Sequence, residues 1–349
     1  MNPYILALLL FGLLLGTGVT ATSSHWLLAW MGLEINTLAI IPLMTRHHHP
    51  RAIEAATKYF LTQATAAATL LFASVTNAWL TGQWDIQLMT HPLPTTLIIL
   101  ALALKIGLAP LHTWLPEVLQ GLDLTTGLVL STWQKLAPFA LLVQIPTPHP
   151  EVLIVLGLLS TLVGGWGGLN QTQLRKILAY SSIAHLGWML LVVQFSPSLT
   201  LLALGTYLVM TLSTFMIFSF NKATTVNALA TSWAKAPLIT SIAPLLLLSL
   251  GGLPPMTGFL PKWLILQELT KQQLPLTAVL AAFTALLSLY FYLRLSYAMT
   301  LTLSPNSVSG TPIWRLASGK ITMPMAASAL AAILLLPLAP AVNAIICTS

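Results

Sequence analysis

Charge is what this sequence has least of. Only 6% of its 349 residues are Asp, Glu, Lys or Arg, 56% are hydrophobic, and the mean hydropathy is +0.86. A soluble chain carries about 25% charged residues, so too little polar surface exists here to cover a water-facing globule. An ordinary soluble domain is excluded. Acids are scarcer than bases, seven Asp and Glu against fourteen Lys and Arg. No basic run or basic amphipathic helix gathers that excess, which argues against nucleic acid and for the loop-charge bias of membrane proteins. The single cysteine, Cys347, rules out a disulfide framework, an iron–sulfur cluster or a cysteine-ligated zinc site carried by this chain alone. A P-loop, a haem-attachment CxxCH, a TVGYG filter and an arginine-rich voltage sensor are also missing. The opening MNPYILALLLFGLLLGTGV has no basic n-region and none of the arginines of a transit peptide, and it reads as a first span retained in the mature chain.

What the sequence has instead is long apolar runs. A membrane span needs about 20 mostly apolar residues, and that template predicts an all-α polytopic membrane protein. Its eleven spans fall near 3–20, 25–44, 57–80, 95–115, 124–144, 152–169, 177–195, 199–220, 238–267, 275–295 and 323–346. The ninth is too long for one straight helix and holds Gly251, Gly252, Pro254, Pro255 and Gly258 at its centre. It reads as two half-helices joined by an unwound segment, tolerated at membrane depth only inside protein or beside water.

Eleven crossings place alternate loops on opposite faces. Arg46, Arg51, Lys58, Arg175, Lys176, Lys222, Lys235, Arg294, Arg315 and Lys320 fall on the side of the N-terminus, and Lys271 alone falls opposite. This ten-to-one split predicts the N-terminus inside and the C-terminus across the membrane. The sequence also repeats itself. Gly107-Leu108-Ala109-Pro110 followed by Leu115-Pro116 matches Gly252-Leu253-Pro254-Pro255 followed by Leu260-Pro261 at an offset of 145, with Trp114 on Phe259 and Glu117 on Lys262. Gly/Pro-interrupted apolar segments in corresponding positions of two halves point to a transporter's ion path. The chain is accordingly one integral membrane domain, 1–349, with a first repeat region at 25–195 and a second at 199–346.

Four charges sit inside predicted spans: Glu34, Lys105, Lys135 and Lys262, the last just past the break. Each costs roughly 2.5–3.5 kcal/mol at a helix centre, on the order of 10 kcal/mol together, which argues for a functional role over snorkelling or structural pairing. Burial disfavours a lysine's charged form and a nearby carboxylate favours it again. Moving Glu34 towards or away from a lysine therefore loads or unloads that lysine's proton, the logic of a relay through polar groups and water. Histidine titrates near neutrality and can bridge gaps. His112, inside the first Gly/Pro-interrupted segment, is a candidate relay member, whereas His185 fits a hydrogen-bonded structural role better. His47, His48 and His49 point in different directions with no acid or cysteine nearby, a poor metal site. Gly164, Gly165, Gly167 and Gly168 flank Trp166 without the strand or spacing of a dinucleotide fingerprint and fit close helix packing instead.

The segments LALALKIGLAPLHTWLPEVLQG, LTTGLVLSTWQKLAP, LRKILAYSSIAHLGWM and LGGLPPMTGFLPKW, with the opening MNPYI, resemble the subunit 2 family of mitochondrial NADH:ubiquinone oxidoreductase, respiratory complex I. The resemblance runs over essentially the whole chain. It implies an antiporter-like, proton-pumping membrane subunit built from two inverted helix repeats, each with a discontinuous helix. Glu34 and Lys105 match the family's Glu–Lys pair, Lys135 its bridging lysine and Lys262 its lysine on the second broken helix. Full-length relatives have fourteen spans with the glutamate on the fifth. Here it falls on the second, so three N-terminal helices are missing, as in the animal mitochondrial form, and the long lateral helix of subunit 5 is absent.

The resemblance further implies a mitochondrial inner-membrane, multi-pass subunit with its N-terminus in the matrix and its C-terminus on the intermembrane side. Its partners would be other complex I subunits, especially neighbouring antiporter-like subunit 4 and subunit 4L, and membrane lipid. No cofactor is expected on this chain; FMN, iron–sulfur clusters and ubiquinone belong elsewhere in the complex. Two rivals share the charge pattern. One is a stand-alone cation/proton antiporter, against which the missing helices argue. The other is a non-pumping structural subunit, against which all four intramembrane charges argue.

Overall fold

The computed structural model describes residues 2–46, 48–146, 150–234, 237–301, 322–338, 340 and 344. These residues are almost wholly helical. The helices are α1 (Pro3–Thr22), α2 (Trp26–Met44), α3 (Pro50–Thr81), α4 (Pro92–Ile106), α5 (Trp114–Gly121), α6 (Leu124–Gln144), α7 (Pro150–Gly168), α8 (Leu174–Leu190), α9 (Pro197–Phe220), α10 (Val226–Ala230), α11 (Pro237–Gly251), α12 (Phe259–Lys271), α13 (Pro275–Thr300) and α14 (Thr322–Leu334). Proline explains many of the boundaries. Seven of these helices, α1, α3, α4, α7, α9, α11 and α13, begin on a proline, whose fixed φ and missing N–H suit the first helical position.

The chain divides into two compact units, Met1–Leu159 and Ser160–Ser349. In the first, α1 crosses α2 at a reciprocal glycine contact. A β carbon on Gly16 would lie 2.8 Å from the Gly32 carbonyl, and one on Gly32 would lie 2.9 Å from the Gly16 carbonyl. Only the missing side chains let the backbones come this close. The rest of α1 is apolar, with Tyr4, Leu8 and Phe11 exposed. Its 32 residues make α3 about 48 Å long, well beyond a 30 Å hydrocarbon core, and it ends at Gly82 in the left-handed conformation.

In the second unit the glycines of α7 meet their neighbours without intervening atoms. A β carbon on Gly164 would lie 2.6 Å from the Ala184 amide nitrogen, one on Gly165 2.8 Å from Leu287, and one on Gly168 2.8 Å from the Phe291 ring. The close packing expected of this stripe is therefore present. Helix α8 runs through the centre of the unit with nearly every side chain buried. His185 lies in it, with Nε2 3.5 Å from the Tyr292 hydroxyl and its ring tilted against Tyr207, the structural setting expected of it.

Both breaks take the same shape. Helices α4 and α11 are each 15 residues long, and Pro92 to Pro237 and Trp114 to Phe259 both repeat at the 145-residue offset. Gly107 and Gly252 adopt φ of +85° and +78°, a left-handed conformation open to glycine at little cost. The Leu108 amide donates to the Ala103 carbonyl and the Leu253 amide to the Leu248 carbonyl, the same six-residue closure of a helix end. The fourth predicted span, 95–115, is thus two helices around a break at Gly107, which hydropathy alone hides because the apolar run continues through Gly107–Pro110. Short helix α10 and a 3-10 turn at Thr231–Ala234 also interrupt what had read as a loop. Of the eleventh predicted span, α14 and a 3-10 turn at Leu336–Leu338 are described; Cys347, Ser349, Lys235, Arg315 and Lys320 lie outside the described residues.

Among the described residues, six helices are long and apolar enough to cross a membrane by length and composition: α1, α2, α3, α7, α9 and α13. The helices outside that set include α4, α6, α8 and α12, which bear Lys105, Lys135, His185 and Lys262. The three intramembrane lysines thus lie on shorter or more polar helices, whereas Glu34 lies on α2, one of the six.

Candidate functional site

Three of the four intramembrane charges belong to the first unit, where Lys105 pairs with Glu34 and shares a cavity lining with Lys135. Lys105 comes from the last turn of α4, Glu34 from the middle of α2 and Lys135 from the middle of α6. Lys105 is 6% exposed and Lys135 2%. The Lys105 ammonium stands 3.5 Å from Glu34 Oε1, an ion pair longer than a tight hydrogen bond of about 2.8 Å. The other carboxylate oxygen, Oε2, accepts from the Thr37 hydroxyl at 3.2 Å, one turn further along α2. The same hydroxyl lies closer, 2.8 Å, to the Glu34 main-chain carbonyl, so the carboxylate is loosely held on both sides.

The end of α4 leaves carbonyls without helical partners, and side chains from distant helices take them up. Trp114 Nε1 donates to the Leu104 carbonyl at 3.0 Å and Gln63 Nε2 to the Lys105 carbonyl at 3.4 Å. These bonds fix the backbone that carries Lys105. Beside it lies a cavity of about 20 Å³, room for about one water molecule. Lys105 and Lys135 both line it, with Asn36, Tyr59, Gln63 and Gln134. Gln134 Nε2 donates to the Asn36 carbonyl at 3.2 Å and ties α6 to α2. Asn36 itself is 2% exposed, with neither amide atom hydrogen-bonded. A buried amide in that state asks for a polar neighbour, and the cavity is the place for one.

The remaining predicted residues stand apart from this cluster. His112 lies in the α4–α5 break, half-buried, with Nδ1 3.2 Å from the Pro110 carbonyl, and does not line the cavity. Lys262 belongs to the second unit, where Nζ donates to the Gly251 carbonyl at 2.7 Å. Glu117, its repeat counterpart, is instead exposed and pairs with Lys58 at 2.9 Å, and Lys58 also pairs with Glu54 at 2.9 Å. His49 caps α3, its Nδ1 accepting from the Arg51 amide at 3.2 Å, and His48 has φ of +49°; His47 lies outside the described residues. Among the described residues no group of three or more His, Cys, Asp or Glu could hold a metal ion. Sequence reading missed Thr37, Gln63 and Trp114, neutral residues whose contacts with Glu34 and with the end of α4 show only in the folded chain.

A helical membrane protein with two Gly/Pro-broken helices and lysines buried beside a water-sized cavity belongs to the antiporter-like transport subunits. Comparison with known proteins narrows this. Residues 23–288 match the family described as NADH:quinone oxidoreductase/Mrp antiporter, TM, and residues 289–343 match the NADH dehydrogenase subunit 2 C-terminus. NADH-ubiquinone oxidoreductase chain 2 of Tetraodon nigroviridis is 75% identical over 98% of both chains, and that of Oncorhynchus mykiss 67% identical over 99% of both. A chain of respiratory complex I from Thermus thermophilus with bound aureothin superposes with a TM-score of 0.80 at 32% identity, over 95% of this chain and 79% of that one. The Mrp complex of a Dietzia species shares the fold, with a TM-score of 0.79 at 17% identity over 94% and 74%. The chain belongs to the NADH-ubiquinone oxidoreductase chain 2 family of antiporter-like membrane subunits.

Proposed function

We propose that this chain moves protons across the mitochondrial inner membrane as a membrane subunit of NADH:ubiquinone oxidoreductase, driven by electron transfer elsewhere in the complex. Glu34 and Lys105 form the switchable pair, Lys135 receives the proton across the cavity, and Lys262 continues the path, with His112 as a further relay member. The observation that carries this reading is that two buried lysines line one water-sized cavity while a carboxylate stands 3.5 Å from one of them. A proton passing from Lys105 to Lys135 would cross the cavity both line, and a shift of Glu34 sets which lysine holds it.

The ten-to-one distribution of loop bases supports a matrix N-terminus and a C-terminus on the intermembrane side. Subunit 4 and subunit 4L are the neighbours proposed in the membrane arm. FMN, iron–sulfur clusters and ubiquinone are assigned to other subunits.

The test is Lys135→Met in the assembled complex, which keeps side-chain length and removes the charge. The complex is expected to assemble, to translocate fewer protons per electron and to reduce quinone more slowly. Normal assembly with an unchanged proton-to-electron ratio would remove Lys135 from the path.

A further inference from the structure

The second broken helix offers Lys262 something the first does not offer Lys105. Helix α11 ends at Gly251 with its carbonyl facing the break, and the Lys262 side chain reaches back from the first turn of α12 to donate to it at 2.7 Å. The side chain crosses directly over Gly252 on the way. A β carbon at Gly252 would lie 2.8 Å from Lys262 Cδ, 2.9 Å from Nζ and 3.1 Å from Cε. No room exists for both a side chain at 252 and this position of the lysine. The last carbonyls of a helix carry partial negative charge, so the site suits an ammonium without using a carboxylate.

We propose that the Gly251–Gly252 turn is a carbonyl cradle that holds the Lys262 ammonium between proton transfers, with Gly252 as its positioning residue. This rests on the reading of Lys262 as part of the proton path. Lys105 is held by an acid on another helix, which can move. Lys262 is held by backbone at the end of the half-helix before its own, which stays put while the lysine swings. The atoms that a Gly252 side chain would strike are the far end of a flexible lysine, so substitution there displaces the ammonium before it displaces the fold.

The experiment compares Gly252→Ala, Gly107→Ala and Lys262→Met in the assembled complex, with the rate of proton translocation, the proton-to-electron ratio, assembly and a cryo-EM map of each as readouts. Gly107→Ala places a β carbon in the same left-handed turn, against Trp114 and Leu115 at 3.3–3.4 Å with no lysine in the way, and sets the backbone cost on assembly. Gly252→Ala is expected to assemble as well as Gly107→Ala, to shift Lys262 Nζ away from Gly251, and to slow proton translocation by about tenfold, the effect of losing one hydrogen bond to a charged group. An unmoved lysine, or unchanged translocation with a displaced one, overturns the cradle. Should Gly252→Ala not assemble, the wild-type map decides, since an Nζ beyond hydrogen-bond reach of the Gly251 carbonyl (about 3.2 Å) overturns it too. Unchanged translocation in Lys262→Met sinks the underlying path assignment instead, whatever the cradle variant does.

Discussion

Glu34 holds its two carboxylate oxygens against different donors, the Lys105 ammonium at 3.5 Å and the Thr37 hydroxyl at 3.2 Å. Thr37→Val keeps the shape and removes the hydroxyl. The hydroxyl proton is shared with the closer Glu34 main-chain carbonyl at 2.8 Å, so losing it costs less than the roughly 1.5–3 kcal/mol of a full hydrogen bond to a charged group. The Glu34 rotamer should broaden, and proton translocation in reconstituted vesicles should slow by less than about tenfold with assembly intact. A rate equal to wild type would show that Thr37 does not hold the carboxylate. The charges themselves were legible in the sequence, because an ionised residue inside an apolar span stands out against everything around it. Their supports were not. Thr37, Gln63 and Trp114 are residue types found throughout the chain, and Trp114 reaches the Leu104 carbonyl only because the break turns the chain back. His25 and His49 illustrate the same limit. Each caps a helix through Nδ1, at 3.2 Å from Leu27 and Arg51 amides, a role the sequence does not announce.

Helices are legible by hydropathy but their interruptions are not always. The second break announced itself with glycines and prolines in a run too long for one helix. The first lies in a run of ordinary length, and only the repeat gave it away. Starts were read late for the same reason: α3 begins at Pro50 rather than near 57, since the polar first turns lie outside the apolar window although proline marks the entry. Packing gives an element-scale test. Gly164→Leu would drive a side chain into the α8 backbone at Ala184, and overpacking costs about 1–3 kcal/mol. Native gels should show a lowered yield of assembled complex. Gly205→Ala, with nothing within 4 Å of the added carbon, should leave yield unchanged or raise it slightly. Equal losses in both variants would argue against a packing role for the α7 glycines.

For the whole molecule, the charge asymmetry of the loops is the most informative feature. It predicts the 46–58 segment on the matrix side and the C-terminus opposite. Protease treatment of sealed inner-membrane vesicles should cleave the two regions from opposite faces; cleavage of both from one face would contradict an odd number of crossings. The chain should also migrate with flavin- and iron–sulfur-containing proteins in mild detergent, whereas a stable, active monomer would favour a stand-alone antiporter.

The two breaks also constrain how this gene can change. From Pro92 to Trp114 and from Pro237 to Phe259 the spacing is the same 22 residues, although only some of the residues between are shared. Adding or losing one residue turns everything downstream by about 100° around the helix axis. In α11 that rotation would carry the Gly251 carbonyl to another face, away from the Lys262 ammonium 2.7 Å from it. Inherited variation here should therefore be made of single-base substitutions, and an in-frame loss of one codon should be more damaging than almost any missense change at the same place.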